Sequence, residues 1–120
     1  MYTDKELPDY MSANVKRRYK IERRIVKSLV RELLGHGFEL SVHDGEERHP
    51  RTTDAGTLFS QLMNTDMDTL FAYPATSDDP YGVVLVYGND GYDVMCDWSV
   101  DLEDNGYITE TIALAESLED

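Results

Sequence analysis

Apolar residues return every three or four positions between residues 14 and 35. Val15, Tyr19, Val26, Leu29, Val30, Leu33 and Leu34 follow this spacing, with Ile25 beside them. That is the period of an amphipathic helix. On the opposite side Arg17, Lys20, Arg24, Lys27 and Arg31 recur at the same spacings, so the predicted helix has one apolar and one basic face. Ser12 or Asn14 suits its start, and Gly35 or Gly37 its end. His36 falls where a cation complements the helix dipole.

Beyond it the period shortens to two. In residues 38–43 Phe38, Leu40 and Val42 alternate with Glu39, Ser41 and His43, the pattern of a half-buried strand. Asp44 and Gly45 make a turn, and residues 46–52 read as a short return strand or a loop. Thr52 or Thr53 with Asp54 marks a helix start. A short helix over 55–64 would turn Leu58, Phe59, Leu62 and Met63 inward, weakened slightly by Gly56. Residues 69–74 form a second predicted strand. Residues 81–87, YGVVLVY, are almost continuously apolar and β-branched, which predicts a strand covered on both faces. GNDG (88–91) is a hairpin signal. Residues 92–101 then alternate, with Tyr92, Val94, Cys96, Trp98 and Val100 on one side and Asp93, Met95, Asp97, Ser99 and Asp101 on the other. A loop, DLEDNG, leads to a closing helix over 107–118 with Ile108, Ile112, Ala115 and Leu118 as its apolar side.

These elements predict an α+β fold: a mainly antiparallel sheet of four to five strands, the long first helix packed on one face, and two shorter helices. Residues 1–13 read as a flexible N-terminal arm and 14–120 as a single domain, with no repeat and no linker. Leu40, Val84, Val86, Val94, Cys96 and Trp98 are expected to be core or near-core.

Charge changes this picture most. Of 120 residues, 24 are acidic and 11 basic, for a net charge of −13. Every Lys and Arg lies at or before Arg51, where nine acids meet eleven bases. Residues 52–120 hold fifteen acids and no Lys or Arg. Globular sequences ordinarily mix the two signs. The acids alternate with Val, Leu, Tyr and Trp, so the second half reads as folded and anionic rather than as a disordered tail. No apolar run reaches the ~18 residues of a membrane span. The N-terminal stretch lacks the pattern of a secretory signal, and a cytoplasmic protein is expected. Cys96 is the only cysteine, which excludes an internal disulfide and a Cys-based zinc site within one chain.

The acid-rich stretch DGYDVMCDWSVDLED (90–104) and the basic helix face together invite four readings: a metal, a catalytic reaction, nucleic acid and a basic protein partner. A calcium loop needs oxygen ligands in a fixed order around a central glycine, ending on a bidentate Glu. Neither NDGYDVMCDWSV nor HDGEERHPRTTD supplies that order, and Asp66 and Asp68 lack such a loop. No metal and no cofactor is expected. For catalysis, Asp93, Asp97 and Asp101 on one strand face would stand roughly 13 Å apart, too far for a carboxylate dyad. His36, His43 and His49 would cluster only if the fold joined them. An enzyme is not expected. Nucleic acid could meet the basic helix face, but a net −13 field repels it. The reading that uses the acids is a basic protein partner: a rigid anionic surface attracts Lys- and Arg-rich grooves and takes the place of phosphates there. The expected contacts are Asp93, Asp97, Asp101, Glu103 and Asp104, with Asp78, Asp79 and Asp90 nearby. A homodimeric scaffold pairing the basic helix face with the acidic sheet is the alternative, and a direct nucleic-acid binder through that helix is a second.

SVHDGEE (41–47) and VVLVYGNDGYDVMCDWSVDLE (83–103), with IVKSLVRELL before them, carry a resemblance. Over residues 20–104 the chain resembles a group of small accessory proteins of proteobacterial phages, prophages and plasmids, which show a V-x-D-G-E-E turn and a Y-G-N-D-G-x-D-V hairpin. Cys96 and Trp98 depart from that pattern. The resemblance brings no catalytic residue. It implies a setting in mobile elements, where small acidic proteins disarm host nucleic-acid enzymes such as CRISPR complexes and restriction enzymes. The combined expectation is a non-enzymatic, anti-CRISPR or anti-restriction type of DNA mimic.

Overall fold

A computed structural model describes residues 1–119; Asp120, the last residue of the expected domain, lies outside the described residues. The first helix, α1, runs Ala13–Gly35. Ser12 caps it, its Oγ accepting from the Val15 N–H at 3.2 Å. At the other end the Gly37 N–H reaches the Leu34 carbonyl and the Phe38 N–H reaches that of Leu33. This paired closure needs a left-handed residue after the cap, and Gly37 supplies it with φ +87.

Four strands follow the chain in space as they do in sequence. β1 (Glu39–His43), β2 (Met67–Tyr73), β3 (Tyr81–Val86) and β4 (Met95–Trp98) form one sheet in the order β1-β2-β3-β4. All three pairings are antiparallel. A helix α2 (Ala55–Gln61) stands between β1 and β2, and α3 (Val100–Asp104) and α4 (Thr109–Leu118) follow β4. The fold is α+β, as the periodicities predict.

One side of the sheet makes the core. Leu40 and Val42, Leu70 and Ala72, and Val83 and Leu85 are buried together with Ile25, Leu29 and Leu33 of α1. Leu58 and Leu62 from the α2 region, Leu102 of α3 and Ile108 close it. The intervening strand positions form a second face that no helix among the described residues covers. There Thr69, Phe71, Val84 and Val86 are only half-buried and Met67 is exposed. Near β1 this face is partly roofed by the return segment: Ser41 Oγ donates to the His49 carbonyl at 2.6 Å, and Arg48 lies 4.2 Å from the Phe71 ring centre. That segment touches β1 through isolated bridges, Leu40 with Thr52 and His43 with Arg48, rather than as a fifth strand.

Several expectations are corrected. β3 is covered on one face, not two, so Val84 and Val86 are not core. A run of β-branched residues fits a doubly covered strand, but the helices among the described residues supply only one layer. The strand expected over 92–101 is four residues long. Its pairing with β3 shifts register between Val84 and Leu85, so the alternation changes phase. Met95 thereby turns inward and Cys96 becomes exposed rather than core. Val94 is fully buried as expected, and Trp98 is half-buried. The expected DLEDNG loop begins as α3, which buries Leu102 and leaves Val100 exposed.

Of residues 1–13, read as a flexible arm, Ala13 opens α1 and the stretch before it lies against α1 and α2. The Met1 ammonium donates to the carbonyls of Phe59 and Leu62 at 3.2 and 3.0 Å. The Tyr2 ring packs 5.7 Å from that of Tyr19, Arg23 pairs with Asp4, and Leu7 is buried.

Candidate functional site

The acids divide by where the chain holds them. Three are removed from water. Glu32 of α1 caps another helix: its carboxylate accepts from the N–H groups of Glu110 and Thr111, both at 2.9 Å, and from the Thr111 hydroxyl at 2.7 Å. A carboxylate there meets unpaired donors and the positive end of the α4 dipole. Glu22 accepts from the Gly88 N–H at 2.7 Å and ties α1 to the β3–β4 connection. Gly91 approaches α1 in the same place, where an added Cβ would stand 3.1 Å from Ile21. Asp68 accepts from the Met63 N–H at 2.9 Å and the Tyr87 hydroxyl at 2.5 Å. Burial pushes the Glu22 and Asp68 carboxyls above the usual carboxylate range despite these donors. Burial, and the adjacent Asp68 charge, hold the Tyr87 phenol in its neutral form.

Asp44 serves a turn. It accepts from the N–H groups of Glu46 and Glu47 at 3.0 and 2.9 Å and faces His49 at 3.2 Å. Those donors hold its carboxyl down at about 2. His43 joins the same turn, its Nδ1 accepting from the Gly45 N–H. His36 is elsewhere, packed edge-on against Tyr107, so the three histidines do not meet. Among the described residues no group of three or more His, Cys, Asp or Glu converges where an ion could sit.

The eight acids expected to meet a partner fall into two groups. Asp97 lies on the uncovered sheet face, in the cross-strand row Thr69–Val84–Asp97. Asp78 and Asp79 occupy the β2–β3 loop, and Asp101, Glu103 and Asp104 lie on α3. Both segments gather at one end of the sheet, where Ser99 and Gly82 exchange two hydrogen bonds of 2.9 Å. All six acids are exposed. Asp78 is paired with Arg51 at 3.0 Å, and that guanidinium also lies 3.6 Å from the Tyr73 ring centre. Asp90 and Asp93 lie at the other end of β3, roughly 17 Å away at ~3.3 Å per residue. The half-buried Asp93 works inside its turn, its Oδ1 accepting from the Asp90 N–H at 3.2 Å. Asp93, Asp97 and Asp101 therefore do not share a strand face as the alternation predicts: one is in a turn, one on a strand and one on a helix.

The sheet face beside Asp97 was missed in the sequence. Val84 and Val86 gave an apolar signal indistinguishable from core. What makes them surface is the absence of a second helical layer among the described residues.

No family profile matches the chain, and no curated protein and no solved structure matches it. No helix among the described residues is long and apolar enough to cross a membrane.

Proposed function

We propose that the protein is a non-enzymatic acidic binding protein that occupies a basic nucleic-acid-binding surface of a host protein. The observation that supports this reading is the neighbourhood of Asp97. One carboxylate stands on an uncovered, half-apolar sheet face, and five more project from the adjoining end. An apolar centre with a charged rim is how protein interfaces are built. The carboxylates would meet Lys and Arg that otherwise hold phosphates, and the sheet face would exclude water around them. The contact set narrows to Asp97, Asp101, Glu103, Asp104, Asp78 and Asp79. Asp90 and Asp93 belong to the hairpin turn and are left out. The setting in a mobile element, and a CRISPR or restriction component as target, rest on the motif resemblance alone.

The test is displacement of nucleic acid. Purified CRISPR effectors and restriction enzymes are assayed for nucleic-acid binding with and without the protein. Binding should fall at low salt and recover as salt screens the contact. The double substitution Asp97→Lys and Asp101→Lys, at two exposed positions, should weaken inhibition about tenfold or more with an unchanged circular dichroism spectrum. Inhibition that survives both charge reversals would sink the reading.

A further inference from the structure

The groove between α1 and α4 is lined by cations, against the sign of the chain's net charge of −13. It measures about 640 Å³, with Lys16, Arg17, Lys20 and Arg24 along its α1 wall and Ser117 on its α4 side. Its apolar part is Ala13, Ile21 and Leu118. Lys16 and Arg24 have no hydrogen-bond or ion-pair partner among the described residues. These cations are spare, in a chain with an excess of thirteen negative charges.

We propose that this groove is a docking site for an acidic amphipathic helix of a second protein. Lys16, Lys20 and Arg24 are spaced i, i+4 and i+8, so they rise ~6 Å apart along α1. Carboxylates at every fourth position of a helix lying along α1 rise by the same step, and the charges register one to one over two turns. Leucines between them meet Ile21 and Leu118, the contact made when an amphipathic helix is laid in a groove. A phosphate backbone would leave those apolar side chains without a partner. No aromatic side chain lines this groove to stack a base. The net charge of −13 opposes a nucleic-acid polyanion more than it opposes a peptide with a few carboxylates. Beyond Arg24 the same inter-helix surface reaches Arg31 and then Glu110, a like charge that ends the register for an acidic helix. α1 buries its other side in the core, on the face of the sheet opposite Asp97. The groove therefore stays open when the acidic end is occupied, and the inference does not depend on what binds there.

Fluorescence anisotropy tests it with three labelled probes at near-physiological salt. One is a peptide of about 15 residues, long enough to form helix, with Glu at every fourth position and Leu between. The second is the same composition scrambled to destroy the apolar face, and the third is a single-stranded oligonucleotide of equal charge. The patterned peptide should bind at least about fivefold tighter than the scrambled one, and the oligonucleotide more weakly than either. Arg24→Glu should cost about tenfold, and Lys20→Glu with Arg24→Glu should abolish binding. Lys5→Glu, the same charge change outside the groove, should leave affinity unchanged. Circular dichroism confirms folding, and Arg24→Gln provides a milder variant that should lose affinity in the same direction. Equal binding of patterned and scrambled peptides overturns the proposal. So does an oligonucleotide that binds as tightly and is lost in Arg24→Glu, which would make the groove a phosphate site, and so does the absence of any peptide binding.

Discussion

Glu32, Glu22 and Asp68 sit among apolar residues and are held by backbone donors, so each acts on stability. Replacing Glu32 by Ala leaves two α4 N–H groups and the Thr111 hydroxyl without their acceptor. The expected cost is about 1.5–3 kcal/mol, the range for hydrogen bonds to a charged group, read as a shift in urea midpoint; Glu32→Gln should cost less, because an amide oxygen can still accept. Asp68 gives a pH signature. Its folded-state carboxyl lies above the unfolded value, so at neutral pH the buried charge is a cost. That cost is relieved as pH falls through the raised value, and nothing further is gained below the unfolded one. Asp68→Asn removes the titration. The stability of the Asn variant relative to wild type should therefore decline as pH falls from neutral toward the ordinary carboxylate range. A difference that stays constant across that range would show that Asp68 does not titrate on folding. Asp44 has the opposite sign. Its depressed carboxyl supports the folded state above the usual carboxylate range and loses that support as pH falls toward about 2.

Helix boundaries and strand phase are properties of elements, and they were unequally visible. The start of α1 at Ser12 and its end at Gly37 follow from residue chemistry: a short hydroxyl that accepts from the first turn, and a glycine that takes positive φ. Ser12→Ala should lower stability by about 1 kcal/mol through the lost cap, a change that thermal melts resolve. The end of the sheet was less legible. The alternation in residues 92–101 is real in the text, yet β4 keeps only its middle, because the register shift beside Val84 reverses the side from which Met95 and Cys96 project. The α3 segment was hidden for a related reason. Its single buried anchor, Leu102, stands in a run of Asp and Glu that reads as loop. Leu102→Ala should unseat α3 at a cost of about 2–5 kcal/mol, while a probe at Asp104 becomes more mobile.

At the level of the molecule, charge is separated in space as well as in sequence. Cations line the outer side of α1 and the return segment that roofs part of the uncovered sheet face. Acids crowd the sheet ends, the β4 side and the later helices. A net −13 opposes compaction and self-association alike. Raising salt from about 0.02 M to 0.3 M should raise the melting temperature by screening that repulsion, and light scattering should give the mass of one chain at both concentrations. A dimer that dissolves on adding salt would mean instead that α1 of one copy covers the acidic end of another.

Local chemistry in the chain was enough to determine the α+β class, the position of α1, the approximate places of β1, β2 and β3, and the sign of each half. Period, capping residues and turn residues act over a few positions, and so does the count of charges. Tertiary packing alone decided which apolar strand positions stay uncovered, that Glu22, Glu32 and Asp68 brace the fold rather than face a partner, and that the acids split between two ends. Those outcomes depend on which layers the chain can supply and on where one register shift falls, and neither is written in any short stretch of sequence.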